Sequence, residues 1–202
     1  MLWVPFTVVV LVVAIATAVA RGGRLHRVAE ADLRWNWLLF PGLGLQVAVE
    51  VFGASGTHGW ASTATVLTSQ ALVVGWITAN RYRPGMPLIF LGLVANAVVI
   101  AANGAMPVDP DAMAAAGLGG GRSLAGKHQL LTDTARLRWL ADIVPVAALR
   151  TVISVGDIAL AAGLIPLVHD LMTYRSPVER RGGPRPSAVG DGGAAGPAVR
   201  NR

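Results

Sequence analysis

The stretch MPLIFLGLVANAVVIAA, from Met86 to Ala102, holds no charged residue in 17 positions. As an α-helix it is about 25 Å long at a rise of ~1.5 Å per residue. A hydrocarbon core of ~30 Å is crossed by ~17–25 predominantly apolar residues. Four further blocks read the same way: Leu2 to Ala20, Trp35 to Phe52 (interrupted by Pro41 and Gly42), Trp60 to Thr78, and Thr151 to Met172. The predicted fold class is therefore all-α, a polytopic transmembrane helix bundle of about five spans. Composition agrees. The 202 residues are 53% hydrophobic and only 14% charged, with a mean hydropathy of +0.55, and a soluble domain of this size needs more charge on its surface.

The formal net charge is +6. On a soluble protein this would raise the question of nucleic acid. Here the basic residues flank apolar blocks, so the lipid bilayer is the partner they imply and nucleic acid is not. Arg21, Arg24, Arg27 and Arg34 separate the first two blocks, and Arg81 and Arg83 separate the third from the fourth. Arg175, Arg180, Arg181, Arg185, Arg200 and Arg202 follow the fifth. The stretch Gly53 to Gly59 has no Lys or Arg. One arrangement puts these clusters on the cytoplasmic side: N-terminus out, C-terminus in, a multi-pass protein of the cell membrane. Against it stand Arg122, Lys127, Arg136, Arg138 and Arg150 in the outer loop. Ala18-Val19-Ala20 also fits a signal-peptide cleavage pattern, but positive charge follows this block instead of preceding it.

Two segments result. Residues 1–172 form the transmembrane helical domain, with an extracytoplasmic loop at 103–150. Residues 173–202 form a basic cytoplasmic tail, rich in Gly, Pro and Ala, that cannot bury a core and reads as disordered. Within the loop, Leu130 to Leu140 has a helical look, and Ala135 to Ala148 suits an interfacial or re-entrant segment. Asn103 to Val108 is compact, and Gly119 to Gly121 reads as a hinge. Trp3, Trp35, Trp37, Trp60 and Trp76 lie near block ends, where an aromatic belt is expected.

The chain has no cysteine, which excludes disulfides, thiolate metal sites and a thiol nucleophile. The glycines of the loop are not followed by Gly-Lys-Ser/Thr, so no phosphate loop is present. His128, Asp133 and Asp142 match no metal-ligand spacing. Neither a metal nor a cofactor is implied. His169 and Asp170 suit a helix terminus better than a proton relay.

Ionisable groups inside a bilayer cost some ~2.5–3.5 kcal/mol on insertion scales, so those present need a reason. Glu50 and Gln46 lie toward the outer end of the second block. Asp157 is expected about two turns into the last, with Ser154 on its face. Asn96 and Asn103 share a face of the fourth block. A pocket of Asn96, Asn103, His128, Ser154 and Glu50 is expected there, with Asp142 and Asp157 as candidate catalytic carboxylates. The plainer reading is a set of interhelical hydrogen bonds worth about 0.6 kcal/mol each.

The segments NAVVIAANGAMPV (Asn96 to Val108), Lys127-His128, LADIVP (Leu140 to Pro145) and ISVGDI (Ile153 to Ile158) resemble a bacterial family of small multi-spanning membrane proteins. That family is catalogued as a domain of unknown function and is common in Gram-positive lineages. The likeness covers roughly Arg21 to Met172 and implies a membrane location without an activity. A weaker likeness is to lipoprotein signal peptidase, a membrane aspartyl protease. It implies that Asp142 and Asp157 share a proton as general base and general acid. This chain lacks that family's Asn-Leu-Ala-Asp-Ser approach to the last helix, having Ser154-Val155-Gly156-Asp157 instead, and it has one span too many. Three kinds of role compete: membrane enzyme, small-solute carrier, and component that docks a membrane-protein partner. Oligomeric state leaves no mark in the sequence.

The tail yields a direct prediction. Deleting Gly182 to Arg202 leaves membrane insertion and folding intact, because the segment has no apolar face to bury. Membrane-fraction levels of the truncated and full chains check this.

Overall fold

The computed structural model describes residues 4–52, 60–118 and 128–174. Lys127, Gly119 to Gly121, Trp3 and nearly all of the basic tail lie outside the described residues. The architecture is mostly helical. Its elements run α1 (Val4–Ala20), α2 (His26–Glu30), α3 (Asn36–Phe52), α4 (Trp60–Ala79), α5 (Met86–Asn103), β1 (Met106–Val108), α6 (Pro110–Ala115), β2 (His128–Leu130), β3 (Val144–Val146), β4 (Thr151–Ile153) and α7 (Val155–Thr173).

The strands correct the all-α expectation. β1 pairs in parallel with β2, Met106 opposite His128, and β3 pairs antiparallel with β4, Val144 opposite Ile153. Leu130 to Leu140 forms no long helix: it leaves β2 and ends in one short 3-10 turn, Arg138–Leu140. Composition explains the difference. Pro107 and Pro145 lack the amide that continues a helical ladder and fall in short segments, whereas the long helices α3 and α7 absorb Pro41 and Pro166; Val144, Val146, Thr151, Val152 and Ile153 are β-branched. The same chemistry shortens the last helix. Thr151 to Ile153 are strand, and the helix begins only at Val155.

Two helices, Met86–Asn103 and Val155–Thr173, are long and apolar enough to cross a membrane. The apolar stretches Phe6–Ala20, Asn36–Val49 and Thr63–Ala79 are shorter. Length and composition thus support two spans, where the sequence leads one to expect five.

The helices are arranged in the order α3, α4, α5, α7, α1, each packed on the next. α5 and α7 approach most closely, and glycine is the reason. Gly85 and Gly92 lie seven residues apart, as do Gly156 and Gly163, and the antiparallel pair places Gly92 against Gly156 and Gly85 against Gly163. A Cβ on Gly163 would sit 2.6 Å from the Gly85 carbonyl oxygen, and one on Gly92 would sit 2.9 Å from the Leu160 nitrogen. Small residues that let backbones approach are the usual basis of helix pairing in lipid, where apolar side chains gain little by leaving the tails.

The two ends of the bundle differ. At one end Arg83 pairs with Asp170 at 2.8 Å and bonds the Asp32 carbonyl at 3.0 Å. His169 bridges Thr17 and Arg21 at 2.8 and 3.2 Å, and the Arg24 amide donates to the Met172 carbonyl at 2.8 Å. Asn80 clamps the backbone of Arg34 through both ends of its amide. The segments carrying Arg21 to Arg34 and Arg81 to Arg83 therefore gather around the C-terminal end of α7. Trp76 is buried there, donating to Asn36 at 3.0 Å, a packing role in place of the expected belt position.

At the opposite end the described parts of the loop, 103–118 and 128–153, fold back as a roof. Met106 joins Val49, Val66, Val99 and Ile100 in one apolar cluster. Val108, Ala112, Met113, Ala116, Leu118 and Val152 form another.

The glycine seam predicts a contrast between substitutions. Gly92→Ala or Gly163→Ala forces α5 and α7 apart and costs about 1–3 kcal/mol, the usual penalty for overpacking. Gly44→Ala, in α3 with open space around it, is neutral or stabilises by up to about 1 kcal/mol through helix propensity. Denaturant unfolding of the purified variants in detergent checks both.

Candidate functional site

The close approach of α5 and α7 fixes a polar ring. Ser154 caps α7: the Asp157 amide donates to its Oγ at 3.0 Å, and its own amide donates to Asp157 Oδ2 at 3.0 Å. This reciprocal capping box satisfies two donors that a helix N-terminus otherwise leaves orphaned. Asn96 on α5 completes the ring. Its Nδ2 donates to Asp157 Oδ1 at 3.0 Å, and its Oδ1 accepts from Ser154 Oγ at 3.1 Å. Asp157 therefore lies in the first turn of α7, not two turns down, and each of its oxygens holds a hydrogen bond.

Beside the ring, His128 and Asp142 face each other across 3.6 Å (Nε2 to Oδ2), both almost fully buried. Their backbones belong to the roof. His128 opens β2, and Asp142 is stitched to β1 by a bond from its amide to the Pro107 carbonyl (3.0 Å) and one from the Asp109 amide to its own carbonyl (2.9 Å). The pair is an ion pair when the imidazole is protonated.

Asn96, Asp157, His128 and Asp142 line one cavity of about 260 Å³. Its apolar walls come from α1 (Phe6, Val10), α3 (Leu43), α4 (Val73), α5 (Ile89, Leu93, Ile100) and α7 (Leu160, Leu164). Its polar lining comes from Thr7, Gln46, Gln70, Asn96, His128, Asp142 and Asp157. Every long helix of the bundle contributes to it, and the roof residues Met106, His128 and Asp142 close the end opposite the arginine-rich end.

Of the residues expected at the site, Asn96, Ser154 and Asp157 share one hydrogen-bonded ring, and His128 with Asp142 borders the same cavity. Asn103 is engaged elsewhere. Its amide bonds the Val99 and Arg136 carbonyls at 2.9 and 3.0 Å and accepts from the Arg136 amide at 2.8 Å, so it anchors the 132–136 turn to the end of α5. The side chain of Glu50 lies outside the described residues. Among the described residues no three His, Asp or Glu side chains converge as metal ligands.

Sequence reading does not single out Gln70. It is 4% exposed, and its Oε1 has no hydrogen-bond partner among the described residues. The signal is present, since Gln70 is the one side-chain amide between Trp60 and Thr78. Its neighbour Ser69 ties α4 to α3 by a 2.8 Å bond to the Gly42 carbonyl, which holds Gln70 at the cavity wall.

The ring predicts strong coupling between helices. In a double-mutant cycle, Asn96→Ala and Asp157→Ala show an interaction of about 0.5–3 kcal/mol, as residues of one network do. Asn96→Ala combined with Asn80→Ala, at opposite ends of the bundle, adds within about 0.5 kcal/mol. Unfolding free energies of the three single and two double variants in detergent check both cycles.

No curated protein and no solved structure matches this sequence. A family model of unknown function, DUF5317, matches residues 30–169, which takes in α3 to α6, α7 as far as His169, and every site residue except those of α1. With that share of its length matched, the chain belongs to the DUF5317 family.

Proposed function

We propose that this chain is a five-span membrane protein, N-terminus outside and C-terminus in the cytoplasm, that binds a small molecule in the outer half of its bundle. The observation that carries the reading is the cavity itself. It is walled by all five long helices, apolar along its sides and polar under the roof, which is the usual composition of a ligand pocket.

Membrane embedding is supported by the bundle surface. Val12, Phe40, Val47, Leu91, Val98 and Ile158 are all exposed, around the outside of α1, α3, α5 and α7. Exposed large apolar residues on so many helix faces mark a membrane or protein contact. Trp35 and Trp37 are exposed toward the arginine-rich end, and Trp60 and Trp139 toward the roof, as interfacial aromatics are. Gathering of Arg21, Arg24, Arg34 and Arg83 at one end supports the inward orientation of that end.

The aspartyl-enzyme reading finds less support. Each Asp157 oxygen accepts a bond, one from Asn96 and one from the Ser154 amide, which fixes the carboxylate in the contact between α5 and α7. It acts here as an anchor between helices, and binding is the role the rest of the lining suits.

Two measurements test this reading. Reporter fusions after Arg83 and after Arg181 both read cytoplasmic; an external signal at either one refutes the topology. The chain has no native cysteine, so single cysteines report access cleanly. Leu93→Cys, buried but facing the cavity, reacts with methyl methanethiosulfonate at least about tenfold faster than Val99→Cys, buried in packed side chains, because thiol reactivity follows access. Equal, slow rates would mean that no cavity exists.

A further inference from the structure

Resting on that reading, we propose that the cavity takes a single-chain amphiphile with an uncharged, hydrogen-bond-donating head, admitted from the lipid between α1 and α3. The head would lie under the roof beside Gln70, and the chain would lie along the apolar walls.

Three observations carry the ligand class. Among the described residues no Lys or Arg lines the cavity, while Asp142 and Asp157 both do, and the His128 imidazole is already turned to Asp142, so a phosphate or carboxylate head would meet like charge there. Gln70 Oε1 is a buried acceptor without a partner among the described residues, and a buried acceptor calls for a donor such as a hydroxyl. The remaining lining is mostly aliphatic, as an acyl or prenyl chain requires. A volume of about 260 Å³ lies just below the ~300–1,000 Å³ usual for small-molecule pockets. It suits a head and the start of one chain, and two chains would not fit.

The route follows from the helix order. α1 is held by α7, through Ala14 and Ala18 against Val168 and Met172 at the arginine-rich end, and α3 is held by α4. These two helices stand at the ends of the order, yet both line the cavity. Toward the roof, Phe6, Thr7 and Val10 of α1 and Gln46 of α3 are half-exposed while lining it, and Leu43 is 46% exposed. The cavity thus reaches the apolar surface of the bundle along this seam. The roof above it is shut by residues almost wholly buried: Met106, His128 and Asp142.

The test uses the full chain in phosphatidylcholine nanodiscs. The probe is 1-monooleoylglycerol carrying a diazirine on its acyl chain and an alkyne for detection. After illumination, labelled peptides are mapped by mass spectrometry. Labelling is expected to saturate and to fall on Phe6 to Val10 and Leu43 to Gln46. Unlabelled monooleoylglycerol is expected to displace it, and oleoyl lysophosphatidate is not. Gln70→Leu is expected to raise the displacing concentration about tenfold, the loss of one hydrogen bond. Ala161→Leu fills the cavity from α7 and is expected to abolish saturable labelling without depending on Gln70. Labelling that never saturates, or that falls equally on Leu88 to Leu91 of α5, overturns the proposal. Displacement by the anionic lipid alone, or by stearylamine alone, overturns the uncharged head. If Leu93→Cys reacts fast while no saturable labelling occurs, the ligand class is wrong and the cavity stands. If both fail, the cavity reading itself falls.

Discussion

Backbone contact between α5 and α7 is the constraint on which the other features depend. In water two helices associate because apolar side chains escape solvent. Between lipid tails that drive is absent, and association rests on dispersion and hydrogen bonds at short range. Gly85, Gly92, Gly156 and Gly163 reduce the seam to main chain against main chain. The separation they set is also the separation at which Asn96 reaches Ser154 and Asp157. A helix pair held a few tenths of an ångström wider would lengthen all of these bonds together. Packing and polarity at this seam are thus one device.

The roof solves a second problem. A helix that ends within a bundle leaves carbonyls without partners, and a loop laid over it brings more. Here the loop supplies its own order. β1 takes β2 on one side and the Asp142 backbone on the other. Asn103 ties the 132–136 turn back to the end of α5, and Thr63 Oγ1 donates to the Gly104 carbonyl. These bonds hold the described parts of the loop in place and let them bury His128 and Asp142 above the apolar walls. The result is a chamber whose polarity is concentrated at one end.

Hydropathy blocks made the long helices legible, and the arginines marked which loops share an end, because both signals are spread over many residues. Local chemistry was harder to read. Ladders of three residues give no periodicity to detect, although Pro107 and Pro145 argue against helix where β1 and β3 run. The depth of Asp157 turned on where α7 begins, and that is decided by one motif, Ser154-Val155-Gly156-Asp157, whose capping spacing is visible in the sequence. Asn96 and Ser154 could be paired as outer-end polar residues. Asn103 belonged to the same face by spacing, yet its partners come from Arg136, a contact 33 residues away that no local pattern encodes. Gln70 was hidden by its surroundings: a single amide in an apolar helix reads as one more interhelical bond.

The polar ring also says something about the order in which such a chain is made. Asn96 leaves the ribosome well before Ser154 and Asp157, its partners 58 and 61 residues later. On the five-span reading, α5 enters the bilayer with its amide unsatisfied and waits there until α7 follows. β4 runs straight into the Ser154 cap, so the strand that anchors the roof and the helix that completes the ring arrive as one unit. On that reading the arrival of α7 satisfies Asn96, and the arrival of β4 gives β3 its partner. A chain halted before Ser154 would present an open, partly polar helix surface within the membrane, the kind of unfinished product that quality-control proteases recognise.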